Sequence, residues 1–461
     1  MNIDRRRSAG AGRWRLRTAT GVALAAVGLL ATAVPAATAA PEPDPLDPAN
    51  FELRPDDQGD AVRDAVARLD AELPRVTVSD VLAEANRTAE HDADGACNAG
   101  AIDDDDADEL PDVAESFCFQ SGDDDVRYWY PQGVTTAADA QGGQLAGPEQ
   151  AILVSWYDHE VTNGPTEEEE HENGIEKGVR ITFLDKQTNA YRHVLLAYPV
   201  IDDNGAPSYR SVLTGQDKSL HAGGIVWYGD FLYVADTAAG FRVFDMRHIY
   251  DLGAASNGTT EDPDKIGRHD GTYHGHGYRY VMPQVAAWEV TAAQGTRCSA
   301  EDEAMVFSYV SLDRSTPDHH LIAGEYCDQN QEVAGRAAAW RLADSLDDRG
   351  EQITDPSHLW RADEVHRLEP TNVQGALRVD GRWYLSKTNG PHEAGENDNS
   401  VLYLTERDPG EVLAPAAQEP APVGAEDLAL WPTADGGHDV WSVSEYPGGR
   451  MVYSLHVAAQ R

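Results

Sequence analysis

Apolar and polar residues alternate with period two along most of the chain after Val126, in short runs broken by Gly, Asp and Asn. That period is the signature of a half-buried strand, and the three-four spacing of a helix is not sustained anywhere in this part. The stretch His221 to Asp245, HAGGIVWYGDFLYVADTAAGFRVFD, shows the unit: a Gly-rich entry and three short strands separated by Gly-containing turns. Five second strands align: LVSWYD from Leu153, YVADTA from Tyr233, IAGEYC from Ile322, YLSKTN from Tyr384 and WSVSEY from Trp441. In each, a small residue (Ser155, Ala235, Gly324, Ser386, Ser444) precedes a larger one: Trp156, Asp236, Glu325, Lys387 or Glu445. Such repeats predict an all-β fold, a β-propeller of five blades, or six if EVTNGPTEEEEHENG hides a strand pair rather than forming a charged inserted loop.

Inner strands are expected at Pro131, His221, Met305, Asn372 and Glu426, and third strands from Gly178, Gly240, Gly335, Ser400 and Gly449. Outer strands are expected from Tyr191, Tyr278 and Glu411. The last repeat reaches Arg461 without a fourth strand, so residues near Val126 to Tyr130 are expected to supply it and close the ring, removing exposed sheet edges.

The pattern changes upstream. Asp60 is a candidate cap for a helix whose apolar positions Val62, Val66, Leu69 and Leu73 are three and four apart, ended by Pro74; a second helix is expected from Ser79. From Asp92 to Asp125 the chain is rich in Asp, Gly and Ala, so residues 40–125 read as a small helical and acidic extension of a propeller spanning 126–461. Six Arg between positions 5 and 17, an Ala-rich apolar run from Val22 to Val34 and Ala37-Thr38-Ala39 predict a secretory signal peptide over 1–39, cleaved near Ala39. The mature protein is then expected to be secreted, with no membrane span, and monomeric.

Charge narrows the partners. The formal net charge of −43 becomes −48 when six Arg and Asp4 leave with the leader (−43 − 6 + 1). Such a surface repels nucleic acid, anionic lipid and polyuronic substrates and attracts cations, although a solvated acidic surface suffices to explain it. Cys97, Cys118, Cys298 and Cys327 contain no CxxC pair. In an exported chain they predict two disulfides; three pairings are open, and Cys97 with Cys118 and Cys298 with Cys327 close the shorter loops.

Candidate chemistry lies where a propeller brings its repeats together. Gln132, His221, Asn372, Gln374, Glu426 and Asp427 stand at inner-strand starts, where they form either a self-satisfied polar axis with trapped water or a ligand pocket. The residues after the small positions form a second ring. Trp156 and Lys387 in it are ligand-binding candidates; Asp236, Glu325 and Glu445 are candidate acid, base and orienting group. His269, Asp270, His274 and His276 in RHDGTYHGHGYRY are candidate ligands for a divalent metal, Ca or Zn, with a Gly-rich surface loop the commoner outcome. EHDADGACN fails as a calcium loop, since the twelfth position from Glu90 is Ala101. There is no GxSxG elbow, HExxH helix or phosphate-cradling Gly loop, which argues against common serine hydrolases, zincins and nucleotide enzymes.

The inner strands PQGV, HAGGI and VQGA resemble those of the five-bladed propellers of the plant-type glutaminyl-peptide cyclotransferase group, over the chain from about Val126. The resemblance implies cyclisation of an N-terminal Gln assisted by an axial carboxylate, for which Glu325 or Glu426 is the candidate; the acidic insertions and the Cys-pinned N-terminal region depart from that group. Five-bladed glycosidases offer a second analogy, but use three inner-strand carboxylates where this chain supplies fewer. Three functions therefore stand: a secreted propeller that binds a small molecule, glycan or extracellular protein in a polar axial pocket without catalysis, a carboxylate-dependent hydrolase or lyase on carbohydrate, and a peptide cyclotransferase.

Overall fold

In the computed structural model, residues 45–103, 110–141, 150–159, 175–215, 218–292, 297–299, 305–389, 398–434 and 436–457 are described. Residues 45–461 fall in one compact unit. The expected signal peptide and the segment EVTNGPTEEEEHENG lie outside the described residues.

Most described strands fall into five antiparallel sets of four in chain order, the fifth extended by Glu90–Asp92 alongside Val113–Cys118. The first consists of Trp129–Thr136, Ala151–Asp158, Val179–Asp185 and Ala190–Ile201. Ile225–Tyr228, Phe231–Asp236, Gly240–Asp245 and Tyr280–Val290 make the second. Tyr309–Asp313, His320–Gly324, Arg336–Arg341 and Trp360–Leu368 follow as the third. The fourth is Val373–Val379, Arg382–Lys387, Ser400–Thr405 and Pro415–Ala421. In the fifth, Ala429–Pro432, His438–Val443 and Met451–Val457 are completed by Val113–Cys118 from the N-terminal region. The first inner strand meets both the second and the fifth, the second meets the third, and the third meets the fourth. This is a β-propeller.

Sheets packed face to face bury both sides of a strand: every residue of Ala151–Asp158 is buried. Large aromatics fill the gaps, and Trp156, Trp288, Trp340, Trp360, Trp383 and Trp441 are fully buried. At the axis the fit is tighter. A Cβ added to Gly224 would lie 2.1 Å from the Val310 nitrogen, and one on Gly133 would lie 2.8 Å from the Gly224 carbonyl carbon and the Ile225 nitrogen. Inner strands meet backbone to backbone there, so the Gln-Gly and Gly-Gly openings are steric necessities.

Several expectations need correction. Val126 to Tyr130 is not the closing strand: Trp129 and Tyr130 already belong to the first inner strand, and Val113–Cys118 pairs with Met451–Val457 instead. The outer strand of the fourth sheet is Pro415–Ala421, not the segment from Glu411 to Pro415; within that segment Val412–Leu413 pairs in parallel with Trp360–Leu368 of the third sheet. The helix Gly59–Glu72 is preceded by Gln58, which makes no side-chain cap, and Asp60 sits inside its first turn. Thr77 caps the second helix, Val78–Ala83, in a reciprocal box with Asp80.

Outer edges, a liability of open sheets, are paired too. Glu52–Pro55 joins the outer strands of the second and third sheets, and Ala190–Ile201 pairs in parallel with Tyr280–Val290. Disulfides Cys97–Cys118 and Cys298–Cys327 are both present.

Candidate functional site at the propeller axis

The first and fourth inner strands slip register between Pro131 and Val134 and between Val373 and Gly375. A slip of this kind re-aims a side chain. Gln132 and Gln374 sit in these slips, and both reach carboxyls of the fifth sheet, Gln132 the one after its second strand and Gln374 the one before its first. Gln132 Nε2 donates to Glu445 Oε1 at 2.9 Å, and Gln374 Nε2 donates to Glu426 Oε1 at 3.1 Å. The carboxyls of Glu426 and Glu445 hydrogen-bond each other, which requires a proton between them.

Glu426 and Asp427 are buried at 1% and 0% exposure, whereas Glu445 is half-buried and opens the pair towards the surface. Burial, then the nearby Glu445 and Asp427, raises Glu426 well above the carboxylate range. Burial pushes Glu445 up to about 7, against the opposing hydrogen bond from Gln132 and the charge of Arg450. Both carboxyls are thus held towards the protonated form, with a proton shared between them.

Asp427 does something else. Its Oδ2 accepts from the Val134 nitrogen at 3.3 Å and the Ile225 nitrogen at 3.1 Å, and the Leu428 and Val310 amides also bond to the carboxyl. Inner strands at a propeller axis have no lateral partner for such amides, and one carboxyl ties four of them. Asp427 is therefore a structural plug beneath the site, not a first contact for ligand.

Around the pair stand Tyr157, Tyr326 and Tyr446, whose phenols are held protonated by burial and the two glutamates. His221 packs at a tilt against Tyr157 with ring centroids 4.5 Å apart, and burial, with Arg297 and His159, lowers it to about 4, so it is neutral. Asn372 donates from Nδ2 to the Tyr326 hydroxyl at 3.2 Å. Lys387 is half-buried, its ammonium 2.6 Å from Asn389 Oδ1 and its proton affinity lowered by burial. Two buried amide oxygens, Gln132 Oε1 and Asn372 Oδ1, have no hydrogen-bond partner among the described residues. They call for a donor, and hydroxyl groups supply donors.

Of the second expected ring, only Glu445 reaches the pair. Asp236 is held by Arg242 at 2.8 Å and Glu325 by Arg336 at 2.7 Å, each an Arg near the start of the third strand of its own sheet. Trp156 is likewise fully buried beside Arg180, 4.7 Å from its guanidinium, and donates from Nε1 to Thr182. The expected set Asp236, Glu325 and Glu445 is thus not assembled: two of its members are rungs between strands. In three of the five repeats the axis-facing position is one residue later, which is where Tyr157, Tyr326 and Tyr446 lie; Thr388 is the fourth-sheet equivalent. Successive residues of a strand point to opposite faces, so a one-residue error selects the wrong ring. The signal was present in the repeated Tyr of SWY, GEY and SEY.

His269, Asp270, His274 and His276 flank or lie on the hairpin Ile266–His269 with Thr272–Gly275. His269 Nε2 bonds the Ile266 carbonyl oxygen, while the ring nitrogens of His276 bond Ser211 and the Pro263 carbonyl oxygen. Among the described residues, no group of three or more His, Cys, Asp or Glu is arranged to hold a metal ion.

No protein-family model matches the chain, and no curated protein matches it. The resemblance to the plant-type cyclotransferases accordingly rests on the short inner-strand motifs. Among solved structures, the chain is similar to a GH43_1 enzyme from Xanthomonas citri complexed with xylose, at 12% identity and a TM-score of 0.28, covering 73% of this chain and 89% of that one. The same enzyme complexed with xylotriose is similar at 12% identity and a TM-score of 0.27, covering 72% and 89%.

Proposed function

We propose that the axial site binds a neutral, hydroxyl-rich ligand of the carbohydrate class and acts on it as a carboxylate-dependent hydrolase. The observation that carries this reading is the proton-sharing pair Glu426 and Glu445 at the meeting point of the sheets. A binding surface gains little from two carboxyls that repel each other when ionised, whereas acid-base chemistry needs proton affinities tuned towards neutrality. The two unpartnered amide oxygens and the ring of phenols favour hydroxyl groups in the ligand.

In the proposed step, Glu426 donates its proton to the leaving oxygen as the scissile C–O bond breaks. Glu445 takes a proton from the water whose oxygen forms the new C–O bond, and exchange through the pair restores the starting state. Glycosidases commonly hold their carboxyls about 5–9.5 Å apart. These two touch, so here they act as one proton-sharing unit, as paired aspartates do in aspartic proteases. The two disulfides suit an oxidising compartment, and no helix among the described residues is long and apolar enough to cross a membrane; export is part of the proposal.

A second reading, binding without chemistry, draws on Gln132 and Gln374, which already satisfy one oxygen of each carboxyl. New reducing ends released from a panel of neutral oligosaccharides separate the two. Glu426→Gln and Glu445→Gln are each expected to cut turnover by roughly 100-fold or more while leaving binding within a few-fold. Loss of affinity alone, with no turnover in the parent protein on any member, would establish the binding reading instead.

A further inference from the structure

A cavity of about 340 Å³ lies away from the axis, between the outer half of the first sheet and the segments around Arg87, Asp123 and Arg279. The chain as a whole carries 79 acidic against 36 basic residues. This wall inverts the ratio: Arg87, Lys177, Arg180, Arg192 and Arg279 line it, with Asp123 as its carboxylate.

The charges do not cancel internally. Asp123 holds Arg87 and Arg180, each at 3.0 Å, so one carboxylate faces two guanidiniums. Burial works against it, but His193 and those two Arg keep it ionised, far below the carboxylate range. His193, 3.0 Å from Asp123, is lowered to about 3 by burial and by Arg180, and contributes no charge of its own. Arg279 is matched by Asp251 and Glu84 behind the wall. Lys177 and Arg192 make no ion pair among the described residues; Asp158 and Asp264 raise Lys177 and Asp251 raises Arg192 without pairing with them, and Arg192 also donates to the Glu84 carbonyl oxygen and lies over the Tyr280 ring. Burial lowers the proton affinity of both, as expected of cations whose hydration has been stripped without a counter-ion.

The wall is also built to hold still. The Arg180 guanidinium is sandwiched between Trp129 and Trp156, at 4.6 and 4.7 Å, with its Nη atoms on Asp123 and Tyr278, and its buried Nε has no hydrogen-bond partner among the described residues. A fixed guanidinium fork beside free ammonium charge matches the oxygens of phosphate or sulfate, and Trp129 and Tyr278 give an apolar face for whatever carries that group. The volume is that of a small-molecule site.

We propose that this pocket binds the phosphate or sulfate group of a small organic anion. Lys177→Gln and Arg192→Gln are the informative variants, because neither breaks an ion pair within the protein. Calorimetric titration of the whole protein with inorganic phosphate and with inorganic sulfate, at constant ionic strength set by chloride, is expected to show one equivalent bound. Each variant is expected to weaken it by roughly tenfold or more; Lys177→Gln is expected to leave the melting temperature without added ion unchanged, whereas Arg192→Gln lowers it slightly through loss of the Glu84 and Tyr280 contacts. Lys218→Gln, at a residue paired with Glu176 and absent from the pocket lining, is expected to bind as the parent does. Absence of binding by either ion at millimolar concentration overturns the proposal, as does binding that both pocket variants leave intact or that chloride displaces equally well. A melting temperature lowered by the variants without any ion effect assigns the cluster a purely structural role and overturns it too.

Discussion

At the residue scale, the balance of raised and lowered carboxyls sets how stability follows pH. Burial raises Glu445 and Asp139 to about 7 and Asp56 to about 6, the last with help from Glu289. A carboxyl whose folded-state pKa is raised keeps a proton that the unfolded chain has already lost. Its contribution is complete below the unfolded value and disappears as pH rises through the folded value. Glu364 works the other way: its hydrogen bond with His366, with Arg378 adding to it, lowers it to about 2, so its contribution is lost only in strong acid. Thermal melting is therefore expected to be highest at about pH 5 and to fall steadily towards about pH 8. Glu445→Gln and Asp139→Asn should each flatten that alkaline decline, since the amide has no proton to lose. A melting temperature constant across this range in the parent protein is incompatible with buried, protonated carboxyls.

At the element scale, the inner strands show why a two-residue motif recurs. Gly224 is required because the third inner strand passes within van der Waals reach of its Cα, so any side chain there collides with backbone that cannot rotate away. Gly224→Ala is expected to cost about 1–3 kcal/mol or more in denaturant unfolding, against a near-neutral Gly410→Ala, where an added Cβ meets nothing within 4 Å. Equal effects at the two positions would mean that the strands do not converge. Period-two alternation made the strands legible: inner, second and third strands of every sheet lie where the pattern predicts. Side-chain direction was less legible. Asp236 and Glu325 look catalytic in a linear alignment, and only their third-strand arginines, 6 and 11 residues later, reveal them as rungs. The closing strand was hidden because Val113–Cys118, VAESFC, sits beside an acidic run and carries Glu115 and Ser116 in its middle. Its pairing with Met451–Val457 is a contact between chain ends, which no local pattern encodes.

At the scale of the whole molecule, closure and charge act together. Val113–Cys118 completes the fifth sheet, and the Cys97–Cys118 bridge fastens that strand to the loop before it, a constraint worth about 2–4 kcal/mol in typical proteins. The closed ring then forces Gln132, His221, Asn372, Gln374, Glu426 and Glu445, drawn from four of the five sheets, into one polar mouth within a molecule whose field excludes polyanions at long range. The basic pocket at the side is the local exception, where five cations outnumber the lining carboxylate. The chemistry proposed at the axis depends on Glu426 and Glu445 sharing a proton. Carboxyl carbon resonances of protein labelled with carbon-13 at the glutamate side chains, followed through a pH titration, report this without any substrate. Expected are two glutamate carboxyls that titrate above the ordinary carboxylate range, each disturbed when the other is changed to Gln. Glutamates that all titrate within the ordinary range, unaffected by Glu426→Gln or Glu445→Gln, would contradict it.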